Sequence, residues 1–227
     1  MSTSDTWADN LDEELSFWRT ALMDPGPDGE LQRSRATERA VWDEFRARVP
    51  ASDRTVRMLD VGSGPLTTLG TLWPARSVEV VAVDPLADDY NALLDELGIV
   101  PPVRALPLRG EALLGHFEPG SFDVVHAANS LDHAADPVLT LEQMLGVARP
   151  GGTICLLHHI DVGVMEQYHG LHQWNLRPDG AHDMLIWSRD RREQLSNRAP
   201  GASIVVEELD DALFRVWITT DADDLAR

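Results

Sequence analysis

The residues best suited to chemistry fall into two groups. The first is the run LDVGSGP at 59–65, followed by VVAVDP at 80–85. Gly62 and Gly64 allow a tight turn and a close approach of backbone to a ligand. Asp84 ends the next apolar run, about twenty residues further on, where a carboxylate can accept hydrogen bonds from both hydroxyls of a ribose. Ser63 and Pro85 sit inside the same two turns. The pattern is that of a nucleoside-containing ligand. The plainer alternatives are a sharp strand-to-helix turn for the glycines and a helix cap for Asp84.

The second group is histidine. Six of the eight crowd into two places: His126 and His133, then His158, His159, His169 and His172. Histidine is the natural general base near neutral pH. His133 and His159 are the first choices for that role, while His126 lies within an apolar run and reads as structural. Tyr168, His169, His172 and Trp174 lie in YHGLHQWN, which could wall or cover an acceptor pocket, although aromatic groups more often serve packing. His158, His159, Asp161, Glu166, His169 and His172 carry metal-ligating atoms, but no HExxH or other fixed ligand spacing appears, and no metal is assigned.

These residues need elements to position them. VRMLDV (56–61), SVEVVAVD (77–84), FDVVHAAN (122–129) and TICLLHHI (153–160) read as strands. VPPVRAL (100–106) reads as a weak edge strand because of its prolines. Helices are expected from Asp88 to Leu97 and from Pro137 to Val147, the latter ended by a turn at RPGG (149–152). Alternating strand and helix patterns imply a parallel sheet with helices on both faces. SIVVEEL and LFRVWITT (203–209, 213–220) read as a closing antiparallel hairpin. Upstream, Trp7, Leu11, Leu15 and Trp18 recur at helical spacing. DPGPDG (24–29) breaks the chain, and a second helix is expected from Arg33 to Arg48. Ser188 is expected to cap a helix running to Arg198. Trp7, Phe17 and Trp18 are candidates to cover the same pocket, with plain core as the alternative.

The chain has 227 residues and a formal charge of −19, which disfavours nucleic acid and anionic membrane surfaces as partners. All nineteen basic residues are arginine, so lysine Schiff-base chemistry and a Walker-type phosphate lysine are excluded. No apolar run is long enough to span a membrane, and the acidic N-terminus lacks a signal stretch. The single cysteine, Cys155, reads as a small buried hydrophobe. The expectation is a cytoplasmic protein.

GxGxxG, the usual nicotinamide fingerprint, fails at its third position, where Thr67 stands. Taken in order, DVGSG (60–64), Asp84, RGEAL (109–113), FDVVHAANSLDHAADP (122–137) and ARPGG (148–152) resemble the class I methyltransferases that use S-adenosylmethionine (SAM). Two departures stand out: Leu66 follows Pro65 where that family often has a third glycine, and the acid near adenine is displaced. The resemblance covers residues 55 to 160. It implies a Rossmann-like α/β fold with a seven-stranded, mostly parallel sheet, an N-terminal helical cap over 1–50 and one methyltransferase domain over 51–227. It implies that SAM, yielding S-adenosylhomocysteine, is held by Asp60, Gly62, Ser63, Gly64, Asp84, Pro85, Glu111, Ala112 and Asn129. An exposed helix-start acid is the alternative for Glu111, and a turn residue for Asn129. The implied reaction is methyl transfer to O or N, or to C, of a small molecule. Three rivals remain: a nicotinamide-dependent oxidoreductase, a silent SAM-binding or partner-binding protein, and a SAM-fold enzyme of other chemistry. Exposed apolar faces near the N-terminus would suit a homodimer.

Overall fold

The computed structural model describes residues 10–74 and 76–220. Trp7 lies outside the described residues. Helix α1 spans Leu11–Met23 and carries Asp12, Glu13 and Glu14 in its first turn, where acidic groups complement the helix dipole. Helix α2 spans Pro27–Ser34 and α3 spans Asp43–Arg48. The single helix expected over 33–48 is therefore two short helices. Pro27 starts one of them from inside the expected break, because proline suits a first helical turn. The Asp24 carboxylate receives the Gly26 and Gly29 N–H groups and shapes that start. Residues 35–37 are turns instead, and 38–42 run without helix, tied to 71–72 by Val41 N–H on Leu72 O at 2.8 Å and Leu72 N–H on Arg39 O at 2.9 Å.

Seven strands form the main sheet: β1 Val56–Val61, β2 Val78–Asp84, β3 Ala105–Pro107, β4 Phe122–Ala128, β5 Ala148–His159, β9 Ser203–Glu208 and β10 Leu213–Thr219. Their order is β3-β2-β1-β4-β5-β10-β9, and only β10 runs against its neighbours. Helix α4 (Ala87–Glu96) links β2 to β3, and α5 (Pro137–Val147) links β4 to β5. Asp136 caps α5, accepting from Val138 N–H at 3.0 Å and Leu139 N–H at 3.1 Å. The expected turn at 149–152 belongs to β5, which starts at Ala148. Gly151, at φ +69°, keeps its place through Thr220, which accepts its N–H at 3.1 Å.

A second sheet of three antiparallel strands, β6 Asn175–Pro178, β7 Met184–Trp187 and β8 Arg192–Gln194, follows a short helix α6, Val162–Met165. The helix expected from Ser188 is reduced to α7, Leu195–Arg198. Ser188 caps no helix; its Oγ receives Asp190 and Arg191 N–H groups and forms the β7–β8 turn.

Alternation along β1 divides the core. Leu59 and Val61 join α5, β5 and the small sheet on one face. Val56 and Met58 join Val41, Phe45, Val49 and Leu69 on the other. Among the described residues no helix lies between β1 and β2, a stretch that carries Pro65, Gly70 and Pro74. Helix α3 covers the face that such a helix would have covered. Its Phe45 is fully buried, stacked on Trp42 at 5.3 Å and edge-on to His126 and Trp217 at 5.9 and 5.5 Å. Phe17, Met23 and Leu31 stay exposed on α1 and α2. Among the described residues, no helix is long and apolar enough to cross a membrane. Truncating Phe45 to alanine should cost about 3–5 kcal/mol in urea unfolding. A loss under ~1 kcal/mol would mean that α3 is peripheral to the core.

Candidate functional site

The strand ends open on a cavity of about 420 Å³, within the usual range for small-molecule sites. Its floor is the β1 turn. Gly62 and Gly64 have φ of +67° and +62°, a conformation that favours glycine. A Cβ on Gly62 would lie 2.4 Å from the Ser130 Cβ, and one on Gly64 would lie 2.8 Å from the Trp18 ring. Gly62 N–H donates to Val83 O at 2.9 Å, which locks the turn to β2.

Two carboxylates frame this floor. Asp84 is buried and accepts from Gly64 N–H at 3.0 Å and Leu86 N–H at 2.9 Å. Burial outweighs those two donors and raises its pKa to about 6. Asp60 is also buried. Its Oδ1 meets His126 Nδ1 at 2.7 Å, and its Oδ2 accepts from Thr67 Oγ1 at 2.5 Å and Thr68 N–H at 3.3 Å. Burial pushes its pKa up, but the His126 charge and these hydrogen bonds outweigh that and hold it below the usual carboxylate range. Thr67, the residue that spoils the nicotinamide fingerprint, thus braces Asp60. Arg35 lines the same cavity. Burial and Arg39 lower its pKa, and the Asp60 charge opposes them.

The opposite wall comes from the ends of β4 and β5. Asn129 adopts φ +47°, its N–H reaches Leu157 O at 2.9 Å, and its Oδ1 accepts His159 N–H at 3.1 Å. It therefore fixes the end of β5 while lining the cavity. A 3-10 turn, Leu131–His133, presents Asp132 and His133. His172 reaches the same place from the loop before β6.

Of the residues singled out from the sequence, Asp60, Gly62, Ser63, Gly64, Asp84, Pro85, Glu111, Asn129, His133, His159 and His172 line this cavity. Glu111 also braces the backbone, its Oε1 accepting Asp136 N–H at 3.1 Å. Ala112, Tyr168, His169 and Trp174 are not among the lining residues. Trp174 is buried in the main core. Tyr168 lies under the Arg189 guanidinium at 4.1 Å, and its hydroxyl accepts from Asn175 Nδ2 at 3.3 Å. His169 is exposed, 3.6 Å from Glu13. The acceptor wall expected from YHGLHQWN therefore reduces to Leu171 and His172, because the packing of Trp174 and the Tyr168–Arg189 contact turn the larger rings away.

The far side is closed by α1. Glu14, Phe17 and Trp18 line the cavity, and Trp18 donates to Glu14 at 2.9 Å. Arg35, Glu14 and Tyr90 have no signal in a motif, and Asp132 lies inside the 122–137 motif without being singled out there. Only the adjacency of Asp132 to His133 pointed toward the last of them.

Residues 59–154 match the family model described as a methyltransferase domain. Over this stretch, less than half of the chain, the sequence is similar to methyltransferase domains, and it is carried on a Rossmann-like, mostly parallel sheet. An uncharacterized methyltransferase of Mycobacterium sp. (strain KMS) is 31% identical over 123 residues, 54% of this chain and 45% of that protein. A ubiquinone biosynthesis O-methyltransferase of Methylococcus capsulatus is 26% identical over 128 residues, 56% of this chain and 53% of that protein. The chain thus spans about half the length of the curated relatives it matches. The structure of a Haemonchus contortus N-methyltransferase, solved with phosphomonomethylethanolamine and S-adenosylhomocysteine, has a TM-score of 0.58 at 15% identity. It covers 97% of this chain and 60% of its own, and shows the shared fold.

The turn itself can be tested. Gly62→Ala should lower the melting temperature, since a non-glycine residue at such a φ costs roughly 1–3 kcal/mol before any clash. Adding Ser130→Gly should recover the clash but not the backbone strain. Full recovery in the double variant would show that the backbone conformation is not the constraint.

Proposed function

We propose that the protein transfers a methyl group from SAM to an oxygen or nitrogen of a small molecule. The observation that carries this is the union, in one cavity, of the Gly62–Gly64 turn beneath the buried Asp84 carboxylate with a wall of histidines. Each Asp84 oxygen accepts one backbone N–H and keeps a lone pair for a ribose hydroxyl. Arg35 and Asp60 offer opposite charges to the two ends of an amino-acid zwitterion, and Asp60 stays ionised because of its partners. Bound there, SAM supplies an electrophilic methyl group on a sulfonium.

The chain's own contribution is placement and proton removal. Holding an acceptor atom in line with the methyl carbon supplies much of the rate. His133 and His159 lie on the cavity wall within reach of such an acceptor, and either imidazole can take its proton. The partly enclosed cavity, the strong negative charge and the Methylococcus relative's name all favour a small acceptor over a nucleic acid.

Calorimetry should show SAM binding, no NAD binding, and loss of SAM binding in Asp84→Ala. A folded protein that binds NAD in preference to SAM would overturn the proposal. Because Asp84 must be ionised to receive the ribose hydroxyls, and its carboxyl titrates near 6, binding should be roughly tenfold weaker at pH 5 than at pH 7. A flat profile would remove Asp84 from the ribose site. Replacing both His133 and His159 by alanine should lower kcat by about 10²–10⁴ while leaving SAM affinity within a few-fold. Unchanged turnover would exclude histidine as the base.

A further inference from the structure

Three potential ligand atoms on the cavity wall form a tight triangle. His172 Nδ1 lies 2.8 Å from Asp132 Oδ2 and 2.9 Å from His133 Nε2, and His133 Nε2 lies 3.4 Å from the same Asp132 oxygen. Elements far apart in sequence build it: the 3-10 turn after β4 supplies Asp132 and His133, and the loop before β6 supplies His172. Gln173 N–H, held on Asp132 O at 3.3 Å, ties that loop to the turn.

We propose that Asp132, His133 and His172 form a site for one divalent transition cation of the zinc and iron(II) class, which binds and acidifies a hydroxyl of the methyl acceptor. A proton shared among these atoms satisfies one edge of the triangle at a time, whereas a cation satisfies all three corners. Tetrahedral ligands at about 2.0–2.2 Å from zinc stand roughly 3.3 Å apart, close to the spacing here. A cation at that distance from each atom would sit about 1 Å out of the triangle's plane. Two imidazoles and one carboxylate select this class of metal over magnesium or calcium.

The electrostatics suit a cation. Asp132 is buried, and its Oδ2 faces both imidazoles. Glu14 places a carboxylate 3.8 Å from His133 Nδ1, on the far side of the ring. That charge favours the proton on Nδ1 and leaves the Nε2 lone pair for the cation.

Three protein ligands leave coordination positions open, the mark of a catalytic rather than a structural metal site. All three residues line the cavity, so those positions face the acceptor. A hydroxyl oxygen bound there loses its proton more readily, as metal-bound water does. The proton passes to His159, also on the wall, or to solvent. The cation's role rests on the methyl-transfer reading; the site itself does not. It commits the acceptor to a hydroxyl oxygen and makes His133 a ligand instead of the base.

The test is a Co²⁺ titration of tag-free, chelator-stripped full chain, followed by calorimetry and visible absorption, with SAM titrated separately. One equivalent of Co²⁺ should bind with visible bands. His172→Ala and His133→Ala, each confirmed folded by its melt, should weaken binding at least about tenfold. His172→Gln provides a second variant should alanine unfold the loop. The absence of stoichiometric binding, or equal binding in all variants, would overturn the site, even with SAM affinity intact. Loss of SAM binding alongside intact, variant-sensitive Co²⁺ binding would instead sink the methyl-transfer reading alone.

Discussion

Asp60, Asp84 and Asp132 are each buried where a strand ends, and a buried carboxylate must be paired or hydrogen-bonded. Each solves this differently. Asp84 takes two backbone N–H groups, one from each turn that it joins. Asp60 takes His126 from the adjacent strand and Thr67 from its own loop. Asp132 takes His172 from a loop forty residues on. These requirements fix the backbone around the cavity. Gly64 must turn its N–H toward Asp84, which demands the positive φ. His126 must stay on the Asp60 carboxylate to hold it ionised against burial, and Trp42 and Phe45 pack edge-on to that ring. The chemistry of the cavity and the packing of the far face are therefore one problem.

That coupling explains the place of the N-terminal segment. The stretch between β1 and β2 spends its residues on turns, with Thr67 committed to Asp60 and 71–72 paired to Arg39 and Val41. Helix α3 supplies the missing cover through Phe45, and α1 closes the cavity's mouth with Glu14 and Trp18. The segment read as a cap is thus part of the core at one end and part of the site at the other.

The sequence carried the elements whose signal is local. Period-two and wholly apolar runs marked β1, β2, β4 and the β9–β10 pair, and the Gly62, Gly64 and Asp84 spacing marked the floor of the cavity. What escaped depends on distant partners. ARPGG looks like a turn until Phe122 and Thr220 pair with it as strand. Ser188 looks like a helix cap, yet the same oxygen serves a hairpin turn equally well. The aromatic run at 168–175 gave no hint that Trp174 points into the core while His172 meets Asp132, because consecutive side chains on an irregular loop obey no period. Arg35 and Glu14 reach the cavity only through the docking of α1 and α2.

The charge around the cavity bears on turnover as well as on binding. Glu14, Asp60, Asp84, Glu111 and Asp132 all line it, against Arg35 and Arg109. A surplus of negative charge in a partly enclosed space favours a cationic guest, and the preference grows as water is excluded. On the proposed reading the guest enters as a sulfonium and leaves as a neutral thioether, so the reaction removes one unit of positive charge from a negative site. Methyl transfer then weakens the hold on its own product. A divalent cation at Asp132 would offset part of that surplus, and would do so at the acceptor end, away from Asp60 and Asp84. The site could thus keep its preference for the sulfonium where the cofactor lies while holding an ionised oxygen where the acceptor lies.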